Sequence, residues 1–436
     1  MEPWLTAVII GSSLVALLMT GMPVAFALTG LSAIFLLIFM GPTALFMIVA
    51  AAFKQVEAEV FIAIPLFVLM AAVLQFSGMA ESLYKTMHMW MGPIRGGLTI
   101  GTLFICAIID ALSGIGATAT TTMGMIALPE MIKRGYHRRM AVGAITVGGA
   151  LGPLIPPSVL MIIVGGYAQL SVGKLFVGGV LPGLLVVCAW SLYVTVRCII
   201  SPALGPSMSK EEQGTMIEKI KHLRHVILPL GLAGFIMGGI YTGIFTPTEA
   251  AGFGALGAVI ISIIHRRFSI SAMFEALRMA LRVTCMILWL VIGGATYSTL
   301  VTVTGTSNLV TEVLAGLPFG TYGVILVMLF IVMVLGMFID PVAISMICIP
   351  VFLPIIKLLG VDLLWFMLMF VMAVVIGYIT PPFGLNLFYM KGVAPEGVSI
   401  MDIYLAATPY TIIMILCLGL CLVFPEIMIW LPGLMD

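Results

Sequence analysis

Glycine and proline interrupt two long apolar runs at matching places. The first break reads Gly152-Pro153-Leu154-Ile155-Pro156-Pro157-Ser158, and the second reads Gly377-Tyr378-Ile379-Thr380-Pro381-Pro382-Phe383. Proline removes a backbone donor and clashes with the preceding turn, so neither run can be one continuous helix. Each break frees carbonyl oxygens on one side and N–H groups on the other. Those carbonyls can ligate a hard cation such as Na+, and a half-helix N-terminus offers partial positive charge to an anionic group.

Each break has a polar companion earlier in the chain. Asp110, Ser113, Gly114 and Thr118 precede the first, and Gly336, Asp340 and Ser345 precede the second. We expect one ion site from Ser113 and Gly114 with the carbonyls of Gly152 and Ile155 near Pro157. A second would use the Gly336 and Gly377 carbonyls with the Thr380 hydroxyl. Asp110 and Asp340 are acidic residues deep in apolar sequence, where such groups usually serve function. They can ligate ions, relay protons or cap helices. Thr118 and the threonines after it can face a site or bond their own preceding turn. No arginine or lysine lies deep in an apolar run. An anionic solute would therefore be held by helix ends, hydroxyls such as Ser158, the amide of Asn386 and the bound cations.

The elements that must position these residues are transmembrane helices. The chain has 436 residues, 62% of them hydrophobic and 8% charged, with mean hydropathy +1.25. Soluble domains carry roughly 25% charged residues. Many windows reach the roughly 20 apolar residues that span a bilayer, and no alternating pattern suggests a β-barrel. The fold class is therefore all-α and polytopic. The segment before the first apolar run lacks a basic region, so we expect that run to be retained rather than cleaved. A net charge of +1 gives no footing for nucleic acid. The seven cysteines form no CxxC pair and read as small core residues, the 33 methionines as adaptable packing, and the five histidines as interfacial.

The chain repeats itself. The G-x-x-x-P-P break recurs, Asp110 pairs with Asp340, and Pro23 in TGMPVAFAL pairs with Pro247 in FTPTEAAGF, each separated by about half the chain. This divides the protein into a first repeat (1–200), a polar linker (201–223) and a second repeat (224–436). Lys133, Arg134, Arg138 and Arg139 follow the first hairpin, whereas Lys357 and Asp362 cancel at the equivalent place. Arg266, Arg267, Arg278 and Arg282 show the reverse asymmetry against Lys54 and Glu57. Basic loops stay cytoplasmic, so the repeats have opposite topology. The N- and C-termini fall outside and the linker inside. Inverted repeats with paired broken helices point to a secondary transporter.

The chain resembles the large, DctM-like membrane subunit of tripartite ATP-independent periplasmic (TRAP) transporters. The likeness runs nearly end to end through GMPVAFAL, FIAIPLFVLMA, GALGPLIPPSV, SVGKLFVGGVLPGLL, FTPTEAAGFGA and GYITPPFGLNLF. The resemblance implies a Na+-coupled importer of organic acids in the bacterial inner membrane, working as an elevator with re-entrant hairpins. It implies two partners: a small four-helix membrane subunit, and a soluble periplasmic substrate-binding protein. It places sodium ligands at Ser113, at Gly152 to Pro157, and at Gly377 to Phe383. One departure stands out. The family loop often reads S-G-S-S, and this chain has Ser113-Gly114-Ile115-Gly116. A ligand at position 115 would be a backbone carbonyl, or be absent. The length leaves no room for a fused small subunit, so that partner is expected as a separate chain.

Two other readings compete. A stand-alone sodium/dicarboxylate symporter of the divalent-anion type would share broken helices, but it is usually marked by Ser-Asn-Thr triplets. This chain has Thr306-Ser307-Asn308 and no such triplet. A proton-coupled variant would run through Asp110 and Asp340. An intramembrane enzyme would need a nucleophile-base pair or a metal set, and no histidine lies deep enough to supply one.

Overall fold

The computed structural model describes residues 2–114, 116–207 and 215–435. Among these the regular structure is helical, with no strand. The first half runs through α1 (Pro3–Met19), α2 (Val24–Met40), α3 (Ala44–Val56), α4 (Ala63–Phe76), α5 (Met79–Met91), α6 (Gly97–Ser113), α7 (Thr118–Lys133), α8 (Arg138–Gly148), α9 (Val159–Ala168) and α10 (Val172–Ile200). The second half comprises α11 (Met216–Tyr241), α12 (Pro247–Ile264), α13 (Ile270–Val303), α14 (Thr306–Ala315), α15 (Gly320–Gly336), α16 (Pro341–Leu358), α17 (Leu363–Tyr378), α18 (Leu385–Val393), α19 (Ile400–Val423) and α20 (Glu426–Gly433). Among the described residues, seven helical stretches are long and apolar enough to cross a bilayer, including α10, α11, α12, α13, α16 and α19.

Both expected breaks are present. Non-helical backbone separates α8 from α9 and α17 from α18, and each break holds one cis prolyl bond, Pro156–Pro157 and Pro381–Pro382. Irregular backbone at membrane depth is tolerated where protein covers it or where it lines a watery cavity; the first break is largely buried, whereas Pro382 and Phe383 of the second are exposed. Side chains of α8 from Met140 onward, and of α17 from Trp365 onward, are buried throughout. By contrast, α11, α12 and α13 bury only 33–39% of their most apolar windows and present Ile217, Phe235, Leu256 and Leu281 outward. Helices α2, α3, α4, α12 and α13 pack on one another, while α6 to α9 and α15 to α18 form the interior group.

The polar linker is partly helical. We expected it over 201–223, and α11 begins within that range at Met216. Thr215 and Glu218 form a capping box: the Thr215 hydroxyl accepts from the Glu218 amide at 3.3 Å, and the Glu218 carboxylate accepts from the Thr215 amide at 2.8 Å. Two orphan donors are satisfied reciprocally, so a helix starts in hydrophilic sequence. The remaining linker positions 208–214 lie outside the described residues. The linker's first residues are pinned, since the Leu204 carbonyl accepts from the His137 amide and the Gly205 carbonyl from the Gly96 amide.

Candidate functional site

The first site is built where the α6–α7 hairpin meets the break between α8 and α9. Helix α6 ends at Ser113, and Gly114 leaves it in the left-handed conformation at φ 58°, its amide donating to the Asp110 carbonyl at 2.8 Å. The Gly114 carbonyl accepts from the Val159 amide at 3.3 Å, and a Cβ on Gly114 would lie 2.7 Å from the Pro157 carbonyl oxygen. The Ala117 amide donates to the Gly149 carbonyl at 3.1 Å. Within the break, the Leu154 and Ile155 amides both donate to the Leu151 carbonyl, which folds Gly152 to Pro157 into a tight buried turn. Ser113, Gly114, Gly152, Ile155 and Pro157 are thus gathered on adjoining segments. Ile115 lies outside the described residues.

The second site is a glycine contact between α15 and α17. A Cβ on Gly336 would sit 2.9 Å from the Gly377 Cα, so the two backbones touch where α17 is about to break. The Thr380 amide donates to the Gly377 carbonyl at 3.0 Å, and its hydroxyl donates to the Ile376 carbonyl at 2.5 Å. The Ile376 carbonyl also accepts from the Ile379 amide, whereas the Thr380 hydroxyl, though donating, can still accept. Phe383 is half exposed, its ring near Phe338 and Phe388. The Tyr404 hydroxyl donates to the Pro382 carbonyl.

Residues 12–427 match the family described as "Tripartite ATP-independent periplasmic transporter, DctM component". The chain belongs to this family. A C4-dicarboxylate TRAP transporter large permease protein of Pseudomonas aeruginosa is 31% identical over 93% of each chain. An isethionate TRAP transporter permease protein, DctMQ, of Oleidesulfovibrio alaskensis is 28% identical over 86% of this chain and 59% of its own. Among solved structures, the Alcanivorax borkumensis YdaH transporter superposes with TM-score 0.62 over 92% of this chain and 96% of its own, at 15% identity. That likeness concerns the fold alone. The protein is a multi-pass membrane subunit of the TRAP family, and these relatives are permeases rather than enzymes.

The remaining candidates of this TRAP subunit take different places. Ser158 is fully buried and caps α9: its hydroxyl accepts from the Met161 amide at 3.3 Å and donates to the Pro153 carbonyl at 2.7 Å. Asp340 caps α16, accepting from the Val342 amide at 2.9 Å. Asp110 instead sits in the last turn of α6, fully buried. The Leu151 and Gly152 amides face its carboxylate, yet neither oxygen closes a well-formed hydrogen bond. The sequence pairing of Asp110 with Asp340 is therefore not an equivalence of position. The bounds of α6 and the start of α7 (Gly97, Ser113, Thr118) and those of α15 and α16 (Gly320, Gly336, Pro341) are separated by one constant interval, and that interval sets Asp110 and Asp340 on different elements.

Asn386, fully buried at the start of α18, reaches across to the other half. Its amide nitrogen donates to the Thr120 hydroxyl at 2.9 Å and to the Thr146 carbonyl at 2.5 Å, while its oxygen has no partner among the described residues. Thr118 opens α7 and lines a small cavity with Ser113, Thr122 and Gln75, between α4 and the hairpin. Thr121 bonds its own preceding turn through the Ala117 and Thr118 carbonyls. Sequence reasoning missed Gln75 and Thr146; Tyr378, inside the expected segment Gly377 to Phe383, packs its ring on Gly116 and joins the first hairpin to the second break. Among the described residues no cluster of His, Cys, Asp or Glu side chains could hold a metal ion. The available ligands are carbonyl and hydroxyl oxygens, a donor set that suits a hard cation.

Proposed function

We propose that this TRAP subunit imports an organic anion by Na+ symport, in the bacterial inner membrane, from a periplasmic binding protein docked outside. A separate small four-helix subunit completes the membrane part. One observation carries the reading: in each half, the end of a hairpin helix touches the break of that same half, Gly114 against Pro157 and Val159, and Gly336 against Gly377. Such junctions concentrate carbonyl oxygens and helix ends in a region covered by protein.

In this reading Ser113, Gly114, Gly152, Ile155 and Pro157 hold one sodium ion, and Gly336, Gly377, Thr380 and Phe383 hold the other. The anion lies between them, near Thr118 and Asn386. The halves are inverted repeats, with the N-terminus and C-terminus periplasmic and the linker cytoplasmic, as the basic residues require. The interior group of helices slides as an elevator against α2, α3, α4, α12 and α13. Relatives named for a C4-dicarboxylate and for isethionate support a small organic acid as the solute class. Dicarboxylates, keto acids and sialic acid all fit that description.

The test needs no known solute. Thermal unfolding of the purified protein is compared in NaCl and KCl at equal ionic strength. A ligand at one hundred times its dissociation constant adds about 2.7 kcal/mol to the folded state, so a sodium-specific rise is expected. Ser113→Ala and Thr380→Ala should each shift the sodium titration to higher concentration. Unchanged titrations in both variants would remove the site assignment.

A further inference from the structure

At the end of the bundle where the linker begins, a cavity of about 280 Å³ opens among α8, α10 and α19. His137, Arg139, Tyr193, Arg197, Leu405 and Tyr410 line it. Two guanidinium groups and an imidazole therefore converge on one opening. Arg139 shares its charge with Asp402 at 3.2 Å, whereas Arg197 makes no ion pair among the described residues. The inner wall is firm: Tyr410 is buried, its ring held edge-on by Tyr193 at 5.1 Å and Trp190 at 6.1 Å. Helix α8 begins here at His137 without a side-chain cap, so its first-turn amides add partial positive charge.

The chemistry around the cavity is two-sided. Tyr193 and Arg197 stand one turn apart on α10 and face the cavity. Beside them Leu192, Val196 and Ile199, at the spacing of one helix face, are exposed at 65%, 45% and 66%. Met401 and Leu405 continue the apolar surface on α19. A free anion would use the charges alone. A phosphodiester carrying acyl chains would use both surfaces.

We propose that this cavity seats the headgroup of an anionic phospholipid, with its acyl chains running along the Leu192–Val196–Ile199 face of α10. Basic pockets between helices at the cytoplasmic edge are suited to such headgroups. The site lies at the opposite end of α8 from the first break; on α19 its lining residues Leu405 and Tyr410 stand beside Tyr404 and Thr411, which bond the Pro382 and Ile379 carbonyls of the second.

Delipidated protein in nanodiscs of phosphatidylcholine, with and without phosphatidylglycerol, tests this by thermal unfolding; inorganic phosphate in pure phosphatidylcholine discs is the third arm. Phosphatidylglycerol should raise the midpoint and phosphate should not. Arg197→Gln should lose that increment and Arg197→Lys should keep most of it. Arg278→Gln, at an exposed ion pair on α13, should keep all of it. Phosphate matching the phosphatidylglycerol increment would make this a free-anion site and overturn the proposal. A full increment in Arg197→Gln, or none in the wild type, would overturn it equally.

Discussion

Gly114 concentrates the demands of the first site in one backbone position. Its φ of 58° is left-handed, and any Cβ there would approach the Pro157 carbonyl oxygen to 2.7 Å. An L-residue in that conformation costs about 1–2 kcal/mol before the contact is counted. Gly114→Ala should therefore lower the unfolding midpoint and weaken the sodium response, because the carbonyl that would have to shift belongs to the proposed ligand set. Gly392→Ala is the matched control: this glycine is helical, with nothing within 4 Å of its would-be Cβ. Equal midpoints and equal sodium titrations in the two variants would show that the hairpin–break contact carries nothing. Ser158 and Asn386 teach a related lesson. Both are expected as solute ligands from their depth, and both also serve the fold: the Ser158 hydroxyl caps α9, and the Asn386 amide nitrogen bonds Thr120 and Thr146 of the other half.

Elements explain why the two aspartates differ. Asp340 stands at the N-cap of α16, immediately before Pro341, and accepts from the second amide of the helix. Losing such a cap costs about 1 kcal/mol, and serine replaces aspartate there at little cost. Asp340→Ser should keep both midpoint and sodium titration near wild type, while Asp340→Ala lowers the midpoint alone. Loss of the sodium response in Asp340→Ser would instead make the carboxylate a coupling group. This cap could have been read from the sequence, since Asp followed by Pro is a helix-start signal. So could the Thr215–Glu218 box that starts α11. The breaks were legible because Pro156-Pro157 and Pro381-Pro382 leave the backbone no helical alternative. What stayed hidden depended on approach in space. The pairing of Gly336 with Gly377 is expected from the sequence, but no local pattern announces that Gln75 shares a cavity with Ser113 and Thr118. His265 likewise lies far along the chain from His222 and His225, yet the rings sit tilted against one another, 5.8 Å apart for His222–His225 and 4.8 Å for His225–His265.

At the scale of the molecule, the two halves meet between the two breaks. Asn386 bonds to Thr120 and Thr146, Tyr378 packs on Gly116, and α7 lies against α18, while Pro382 and Phe383 stay exposed. Two cations and an anion held there would move together, and their summed charge would cross the membrane as a unit. With two Na+ and a monocarboxylate that sum is +1, and about 2.3 kcal/mol is gained per 100 mV of inside-negative potential. This corresponds to about a fiftyfold accumulation ratio. A dicarboxylate with the same two ions would move no net charge. In proteoliposomes containing both membrane subunits and supplied with the binding protein, an imposed potential should therefore raise the accumulation of a monocarboxylate solute and leave a dicarboxylate unaffected. Equal voltage dependence for both would mean that the ion count changes with the solute. No voltage dependence for the monocarboxylate would mean that only one positive charge accompanies it, leaving one of the two glycine-lined junctions as packing alone.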